Sequence, residues 1–333
     1  MAKACLSAAT SSISVDYRMA NHGMNEQIGV VGAGLIGRSW AIVFARAGFN
    51  VTIHDSVPEA LSTCLTLLRD NVNDLAQYGL ISETPDTVMG RITPVDTLAE
   101  AMQRAALVQE NVSETLEAKQ AIFAEMDRLA APETILVSST SWIPASSFSA
   151  ALAGRGRIMV GHPVNPPHLV PLVELAPAPW TTADAVESAR DLYARAGQTP
   201  VLLKKEITGF LLNRIQGAVL NEAFNLYAGG YASIEDLDNV MKNGLGMRWS
   251  FMGPFETIDL NAPGGVIDYA ARYGRTYREI AREQAGNEWD PELLARIHSE
   301  RRAALPAAQM GERSRWRDKR LMALVTHKRK QVS

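Results

Sequence analysis

The sequence feature that most constrains the fold is a glycine motif, GAGLIG at residues 32–37, set between two short apolar segments. Residues 28–31 have the apolar, β-branched character of a buried strand, and residues 51–53 repeat it. Between them, a helical run at residues 38–47 ends at Gly48, a typical helix stop. Strand, glycine turn, helix and strand in this order predict the first βαβ unit of a dinucleotide-binding domain.

Each glycine of the motif has a physical role in that unit. Gly32 permits the tight turn, Gly34 lets a pyrophosphate approach the backbone, and Gly37 lets the helix pack closely on the strand. The amino end of the helix offers free N–H groups to the phosphates. Asp55 follows at the tip of the second strand, where a carboxylate accepts hydrogen bonds from the adenosine ribose and repels a 2′-phosphate. Because no lysine or arginine follows until Arg69, the segment predicts NAD rather than NADP.

Strand and helix signals alternate up to about residue 205. From residue 207 onward the segments have helical period, and none is a convincing strand. The predicted fold class is therefore α/β, with a Rossmann-type NAD-binding domain at residues 25–205 and an all-helical domain at residues 206–333. Residues 1–24 lack periodicity and predict a disordered extension. Later strands are predicted at residues 106–109, 134–137, 158–160, 172–175 and 201–203.

The next informative stretch is residues 158–175, IMVGHPVNPPHLVPLVEL. Its two apolar runs flank four prolines, which exclude a helix, so the chain is expected to go out on one strand and return on the next. That path would place Glu174 near His162, whereas His168 is expected to be a loop residue. A carboxylate beside an imidazole fixes its tautomer and stabilises its protonated form, as a general base requires. Ser141 follows another predicted strand at its carboxyl end, where open α/β sheets bind ligands.

Composition argues against several classes of function. A net charge of −3 gives no reason to expect nucleic acid or an acidic membrane as a partner. The two cysteines and six histidines form no metal-ligand spacing, so we expect no metal and a reducing, cytoplasmic location. No apolar run approaches the roughly 18 residues of a membrane span. The basic run near the C-terminus is interpreted as the solvated face of a helix that buries Trp316, Leu321 and Leu324.

Five segments in order resemble the 3-hydroxyacyl-CoA dehydrogenase family, from about residue 27 to the C-terminus: GAGLIGRSWA, SSTS, GHPVNPPHLVPLVEL, GFLLNRI and GLGMRWSFMGPFET. They look most like its lambda-crystallin branch, whose enzyme is L-gulonate 3-dehydrogenase. The resemblance implies an NAD-dependent oxidoreductase that pairs through its helical domain as a homodimer. His162 matches the catalytic base and Glu174 its partner. Ser141 and Asn213 match residues that hold the reacting oxygen.

The resemblance also implies positions around the cofactor. Leu35 and Ile36 match residues whose backbone N–H groups meet the pyrophosphate. Asn165 matches a residue near the nicotinamide. Glu114 and Lys119 match positions that contact the adjoining ribose and neighbouring groups.

The substrate is predicted from charge. Family members that bind CoA thioesters have lysines on the helical pair after the second strand, whereas residues 56–90 contain one cation, Arg69, against five carboxylates. This segment would repel CoA, so a small free L-3-hydroxy acid is favoured. In the L-gulonate branch an arginine matching Arg248 is implicated in substrate binding, and a guanidinium binds a carboxylate through two parallel hydrogen bonds.

Three alternatives stay open. Trp249, beside Arg248, could face a quaternary ammonium, as expected for the related L-carnitine dehydrogenase. A CoA thioester is the second alternative. The third is a non-catalytic NAD-binding protein, like the lens crystallin of this branch. Such a protein would not need the base, its carboxylate partner and the asparagine, all of which are present.

Overall fold

The computed structural model describes residues 26–284 and 289–331. The predicted extension at residues 1–24 lies outside them. No helix in the described part of the chain is both long and apolar enough to cross a membrane.

One sheet of eight strands organises the described residues 26–202, in the order β3-β2-β1-β4-β5-β6-β7-β8. Strands β1 to β6 are parallel, β7 returns antiparallel to β6, and β8 runs parallel to β7. This confirms the predicted α/β class and the out-and-back path of residues 158–175. The strands are β1 (Gln27–Val31), β2 (Asn50–His54), β3 (Ile92–Pro94), β4 (Ala105–Glu110), β5 (Ile135–Ser138), β6 (Ile158–Pro163), β7 (Leu172–Pro177) and β8 (Thr199–Leu202).

Within the described residues, seven helices connect the strands and seven more follow the sheet. The first set is α1 (Leu35–Arg46), α2 (Pro58–Gln77), α3 (Pro85–Met89), α4 (Leu98–Met102), α5 (Leu116–Leu129), α6 (Ala145–Ser149) and α7 (Ala183–Arg195). The second set is α8 (Leu212–Ala228), α9 (Ile234–Val240), α10 (Gly246–Trp249), α11 (Pro254–Leu260), α12 (Gly265–Glu283), α13 (Pro291–Ala304) and α14 (Met310–Arg329). A π-helical turn, Met241–Leu245, joins α9 to α10. Single 3-10 turns lie at Arg155–Arg157 and Ala307–Gln309.

Alternate residues of each central strand enter different apolar clusters. Val30 packs with α1, α2 and α7, whereas its neighbour Val31 packs with α4, α5 and α6. Val137 and Leu136 divide between the two clusters in the same way. Because successive strand side chains point to opposite faces, both faces of the sheet are covered by helices, as a parallel sheet requires.

The edge strand β3 was not predicted. It has three residues, only Ile92 is buried, and it ends in Pro94. Such a segment gives almost no hydrophobic period, and proline is tolerated there because an edge strand leaves one row of N–H groups unpaired. Pairing with β2 therefore decides its structure.

The last helix packs on the sheet domain. Met322 of α14 is 3% exposed within the core cluster of α1 and α2, and the Thr326 hydroxyl donates to the Tyr78 carbonyl at the end of α2. The prediction that this helix buries Trp316 and Leu324 was wrong, since they are 47% and 44% exposed. Only Leu321 packs against the core as expected. The helix turns a different face inward because its partner is α2.

Candidate active site

His162 and Glu174 face each other across β6 and β7. The two residues are in register, and His162 Nδ1 lies 2.8 Å from Glu174 Oε2. Both are buried, at 5% and 1% exposure. Because a carboxylate can only accept, Nδ1 carries the proton and Nε2 is left with a free lone pair. This is the tautomer that a general base needs.

The second oxygen of Glu174 holds the helical part of the chain. Oε1 accepts hydrogen bonds from the backbone N–H groups of Leu211 and Leu212, at 2.8 and 2.9 Å, where α8 begins. The first N–H groups of a helix have no partner within it, so the carboxylate caps α8. One buried side chain thus joins the candidate base to the helix that carries Asn213.

The turn before α8 needs unusual backbone conformations. Gly209 has φ of 76° and Phe210 has φ of 51°, in the left-handed region that a phenylalanine rarely adopts. Phe210 is fully buried, and its ring centroid lies 5.4 Å from that of His162. The packing of the Phe210 ring on the imidazole therefore stabilises this backbone turn. The same contact confines the imidazole ring of His162.

Asn213 and Ser141 meet on the open side of His162. Asn213 Nδ2 donates to the Ser141 carbonyl at 2.9 Å. These residues line a cavity of about 280 Å³ with Asn165 and with Ile36 from the amino end of α1. The structure therefore brings four predicted catalytic or cofactor residues to one cavity with His162, beside the glycine motif. Its other lining residues are Ser139, Pro163, Val164, Leu212 and Gln216.

Glu114 supports the serine loop. Its Oε1 accepts from the Ser141 backbone N–H at 2.9 Å and from the Thr140 hydroxyl. Glu114 precedes α5, whose amino end is capped by the Thr115 hydroxyl. The carboxylate is exposed, so it fixes the backbone of Ser141 while its other oxygen faces solvent.

Lys119 pairs with a buried carboxylate at the end of β4. Its ammonium is 1% exposed and donates to Glu110 Oε1 at 2.7 Å and to the Val112 carbonyl at 3.1 Å. Burial raises the pKa of the Glu110 carboxyl, and the Lys119 ammonium opposes that rise. The contact near the nicotinamide-side ribose that the resemblance implies for Lys119 stays a prediction.

The glycine motif has the shape that a dinucleotide requires. Gly32 has φ of 95°, and a Cβ on Gly37 would lie 1.8 Å from the Gly32 carbonyl oxygen, so neither position accepts a side chain. A Cβ on Gly34 would meet nothing within 4 Å, which leaves the approach to the α1 amino end open. At the end of β2, Asp55 Oδ2 accepts from Ala33 N at 2.7 Å, which ties the predicted ribose carboxylate to the glycine turn. These residues fit NAD: the backbone at Leu35 would bind the phosphates, and Asp55 the adenosine ribose.

Two cavity residues were not singled out from the sequence. Ser139 accepts hydrogen bonds from Trp40 Nε1 and Gln109 Nε2, at 3.0 and 2.8 Å, and donates to Asn111 Oδ1 at 2.7 Å. Gln216 lies one helical turn after Asn213, on the same face of α8. The spacing of three from Asn213 could have indicated Gln216, whereas no local signal points to the partners of Ser139.

Arg248 is not among the residues that line the cavity. It lies on the short helix α10 and is partly exposed. Its charge acts on Tyr269 of α12. There the Tyr277 hydroxyl raises the pKa of Tyr269, and Arg248 opposes that rise. The substrate contact predicted for Arg248 stays a prediction.

A Rossmann-type sheet with a histidine–carboxylate pair at the nucleotide cavity defines a dinucleotide-dependent dehydrogenase. The family profile of the 3-hydroxyacyl-CoA dehydrogenase NAD binding domain matches residues 27–207, and that of the C-terminal domain matches residues 209–295. The chain belongs to this family and is an NAD-dependent oxidoreductase.

Individual relatives agree with that assignment. A lambda-crystallin homolog from Bos taurus is 40% identical over 303 residues, which cover 90% of this chain and 94% of that protein. L-Carnitine dehydrogenase from Streptomyces coelicolor is 35% identical over 268 residues, covering 80% and 83%. The crystal structure of 5-formyl-3-hydroxy-2-methylpyridine 4-carboxylic acid 5-dehydrogenase, an NAD+ dependent dismutase, is similar with a TM-score of 0.69 and 27% identity, covering 85% and 97%.

Proposed function

We propose that the protein oxidises the 3-hydroxyl of a small free L-3-hydroxy acid to the 3-keto acid with NAD, and that L-gulonate or a close analogue is the substrate. The observation that supports this most directly is the buried His162–Glu174 pair, 2.8 Å apart, in the same cavity as Ser141 and Asn213. A secondary alcohol needs a base at this point and groups that orient its oxygen.

The residues divide the reaction as follows. His162 takes the hydroxyl proton on Nε2 as the alcohol carbon–oxygen bond becomes a carbonyl, and the Glu174 carboxylate stabilises the imidazolium. Ser141 and Asn213 orient the oxygen and polarise the ketone in the reverse direction. Bound NAD supplies the nicotinamide ring that accepts the hydride from the same carbon. Alignment of the hydroxyl between base and ring is the protein's contribution.

The charge of residues 56–90 argues against a CoA thioester as the substrate. Arg69, the one cation of residues 56–90, forms an ion pair with Asp86 at the protein surface. Glu83, another carboxylate of this segment, pairs with Arg91 just beyond it, at 2.5 Å. Glu59, Asp70 and Asp74 are in no ion pair with a described residue. A ligand with several phosphate groups would meet net negative charge here, whereas a small monocarboxylate would not need to approach it.

A substrate panel tests the proposal. Initial rates of NADH formation would be compared for L-gulonate, L-carnitine, (S)-3-hydroxybutyrate and (S)-3-hydroxybutyryl-CoA at matched concentrations. We expect the highest kcat/KM for L-gulonate. A clear preference for the thioester would overturn the charge argument, and a preference for carnitine would favour the activity of the Streptomyces relative. No NADH formation with any substrate would favour the non-catalytic alternative.

We also propose that two copies associate through the helical part. In the described chain, helices α8, α9, α10 and α12 contain no buried residue, and large apolar side chains of this part lie open to solvent. Phe251, Phe255 and Ile267 are 73%, 79% and 84% exposed. An apolar surface of this kind marks an interaction site, and a second copy presents the same surface in return.

A further inference from the structure

Gln216 is the polar cavity residue to which the proposed reaction gives no role. It lies on α8, one turn after Asn213, and lines the cavity beside His162 and Ser141. Its side-chain amide makes no hydrogen bond to any described residue. The residue is exposed, so its side chain is accessible from solvent.

The other polar groups of the cavity have functions already. The Ser139 hydroxyl accepts two hydrogen bonds and donates one, so it has no donor left for a ligand. In the proposed reaction His162, Ser141 and Asn213 act on the reacting hydroxyl, and Asn165 is predicted to lie near the nicotinamide. Gln216 is thus the remaining polar side chain of this cavity that can contact a part of the substrate away from the reacting carbon.

The chemistry of an amide restricts which substrate group can bind to Gln216. A glutamine offers two donors and one acceptor without charge, which matches a hydroxyl group, itself both donor and acceptor. None of the ten residues that line the cavity is a lysine or arginine, so this cavity has no fixed cation for a phosphate. An acyl chain offers no donor or acceptor to the amide, so it would gain no hydrogen bond from this residue.

We propose that Gln216 is a specificity-determining residue that binds a second hydroxyl group of the substrate, next to the one that is oxidised. The inference rests on the proposed function and sharpens it, because it assigns polyhydroxylated acids as the substrate class. A substrate without the second hydroxyl makes no hydrogen bond to Gln216 and gains only van der Waals contact from it.

The test compares Gln216→Leu with wild type on two acids, L-gulonate and (S)-3-hydroxybutyrate. Leucine is close in volume and removes the amide. We expect kcat/KM for L-gulonate to fall by about 10–100-fold, as for the loss of a substrate hydrogen bond, and that for 3-hydroxybutyrate to change by less than about threefold. The KM for NAD and the thermal midpoint should stay as in wild type. Gln77→Leu, the same change on an exposed position of α2 outside the cavity, is the matched control.

The outcomes separate the two proposals. If wild type forms NADH with neither acid, the proposed function fails, and the inference fails with it. If wild type oxidises both acids but Gln216→Leu lowers both equally or neither, the Gln216 inference alone is overturned. A lower ratio of gulonate to hydroxybutyrate activity, absent in Gln77→Leu, supports it.

Discussion

Glu174 contacts His162 through one carboxylate oxygen and caps helix α8 through the other. The Nδ1–Oε2 distance is 2.8 Å, and Oε1 accepts from two backbone N–H groups at 2.8 and 2.9 Å. The same carboxylate therefore fixes the tautomer of the base and the start of the helix that carries Asn213. Substitutions at Glu174 should separate these two effects.

Glu174→Gln should keep the cap of helix α8 but remove the tautomer of His162 that acts as a base. The amide oxygen can still accept from Leu211 and Leu212, but an NH₂ group facing Nδ1 favours the tautomer that protonates Nε2. We expect kcat to fall by about 10²–10⁴-fold, the usual contribution of a general base. Glu174→Ala should add a stability loss of about 1–2 kcal/mol because it leaves the helix uncapped. Urea unfolding and steady-state rates of both variants would test this; equal stabilities would contradict the capping role.

His162→Gln should abolish turnover without removing NAD binding. Removing a general base costs about 10²–10⁴-fold in rate, whereas the glycine motif and Asp55 are unchanged. Rates would be measured with the best acid of the panel, and NADH binding by fluorescence titration. His298→Gln, on the exposed face of α13, is the control. Near-wild-type turnover would remove His162 as the base.

Asp55→Asn should weaken the preference for NAD. The substitution removes the charge that repels a 2′-phosphate, while the amide oxygen can still accept from Ala33 N, now 2.7 Å from Oδ2. We expect the ratio of kcat/KM for NAD over NADP to fall by about 10-fold or more. Asp70→Asn, an exposed change on α2, should leave the ratio unchanged. An unaltered ratio in Asp55→Asn would mean that another group selects the cofactor.

His168 should make folding sensitive to acid. It is a loop residue, as predicted, yet it is 8% exposed, and burial lowers its pKa to about 3, with Arg46, Arg317 and Arg38 acting in the same direction. Below pH 6.5 the unfolded chain binds a proton that the folded chain does not, so stability falls as the pH decreases toward 3. Between pH 7 and pH 5 the loss should be about 2 kcal/mol.

The His168→Asn variant tests that slope. In the native loop His168 Nδ1 lies 3.1 Å from Ser39 Oγ, which itself donates to the Leu35 carbonyl, so Nδ1 is the donor. The asparagine NH₂ group can replace that donor without titrating. The free energy of unfolding, measured in urea at pH 7 and pH 5, should differ less in His168→Asn than in wild type or in His298→Asn. The same pH dependence in all three proteins would exclude His168 as its source.

Ile267→Arg should dissociate the proposed dimer. A guanidinium on a side chain that is 84% exposed costs nothing in the single chain, but it would be buried against the apolar surface of a second copy. Light scattering after size exclusion should give two copies of the 36.2 kDa chain for wild type and one for the variant at low micromolar concentration. Leu116→Arg, on α5 of the sheet domain, is the control. A monomeric wild type would overturn the dimer proposal.

The sequence by itself determined the features that depend on local chemistry. The spacing of Gly32, Gly34 and Gly37 between apolar runs predicts the nucleotide turn, since backbone conformation at a glycine is set by sterics nearby. Two β-branched runs around a proline-rich turn predict that His162 and Glu174 meet, and the register confirms it. Hydrophobic period alone also separated the part of the chain that contains the sheet from the helical part that follows it.

Tertiary structure decided which partners the remaining side chains found. Lys119 is close to Glu114 along the chain but pairs with Glu110, because burial makes an ion pair on β4 its strongest contact. Gln216 enters the cavity while Arg248 does not line it. The face that α14 buries depends on α2, which lies some 250 residues earlier in the chain. Such contacts depend on packing and charge between distant segments, which hydrophobic period does not encode.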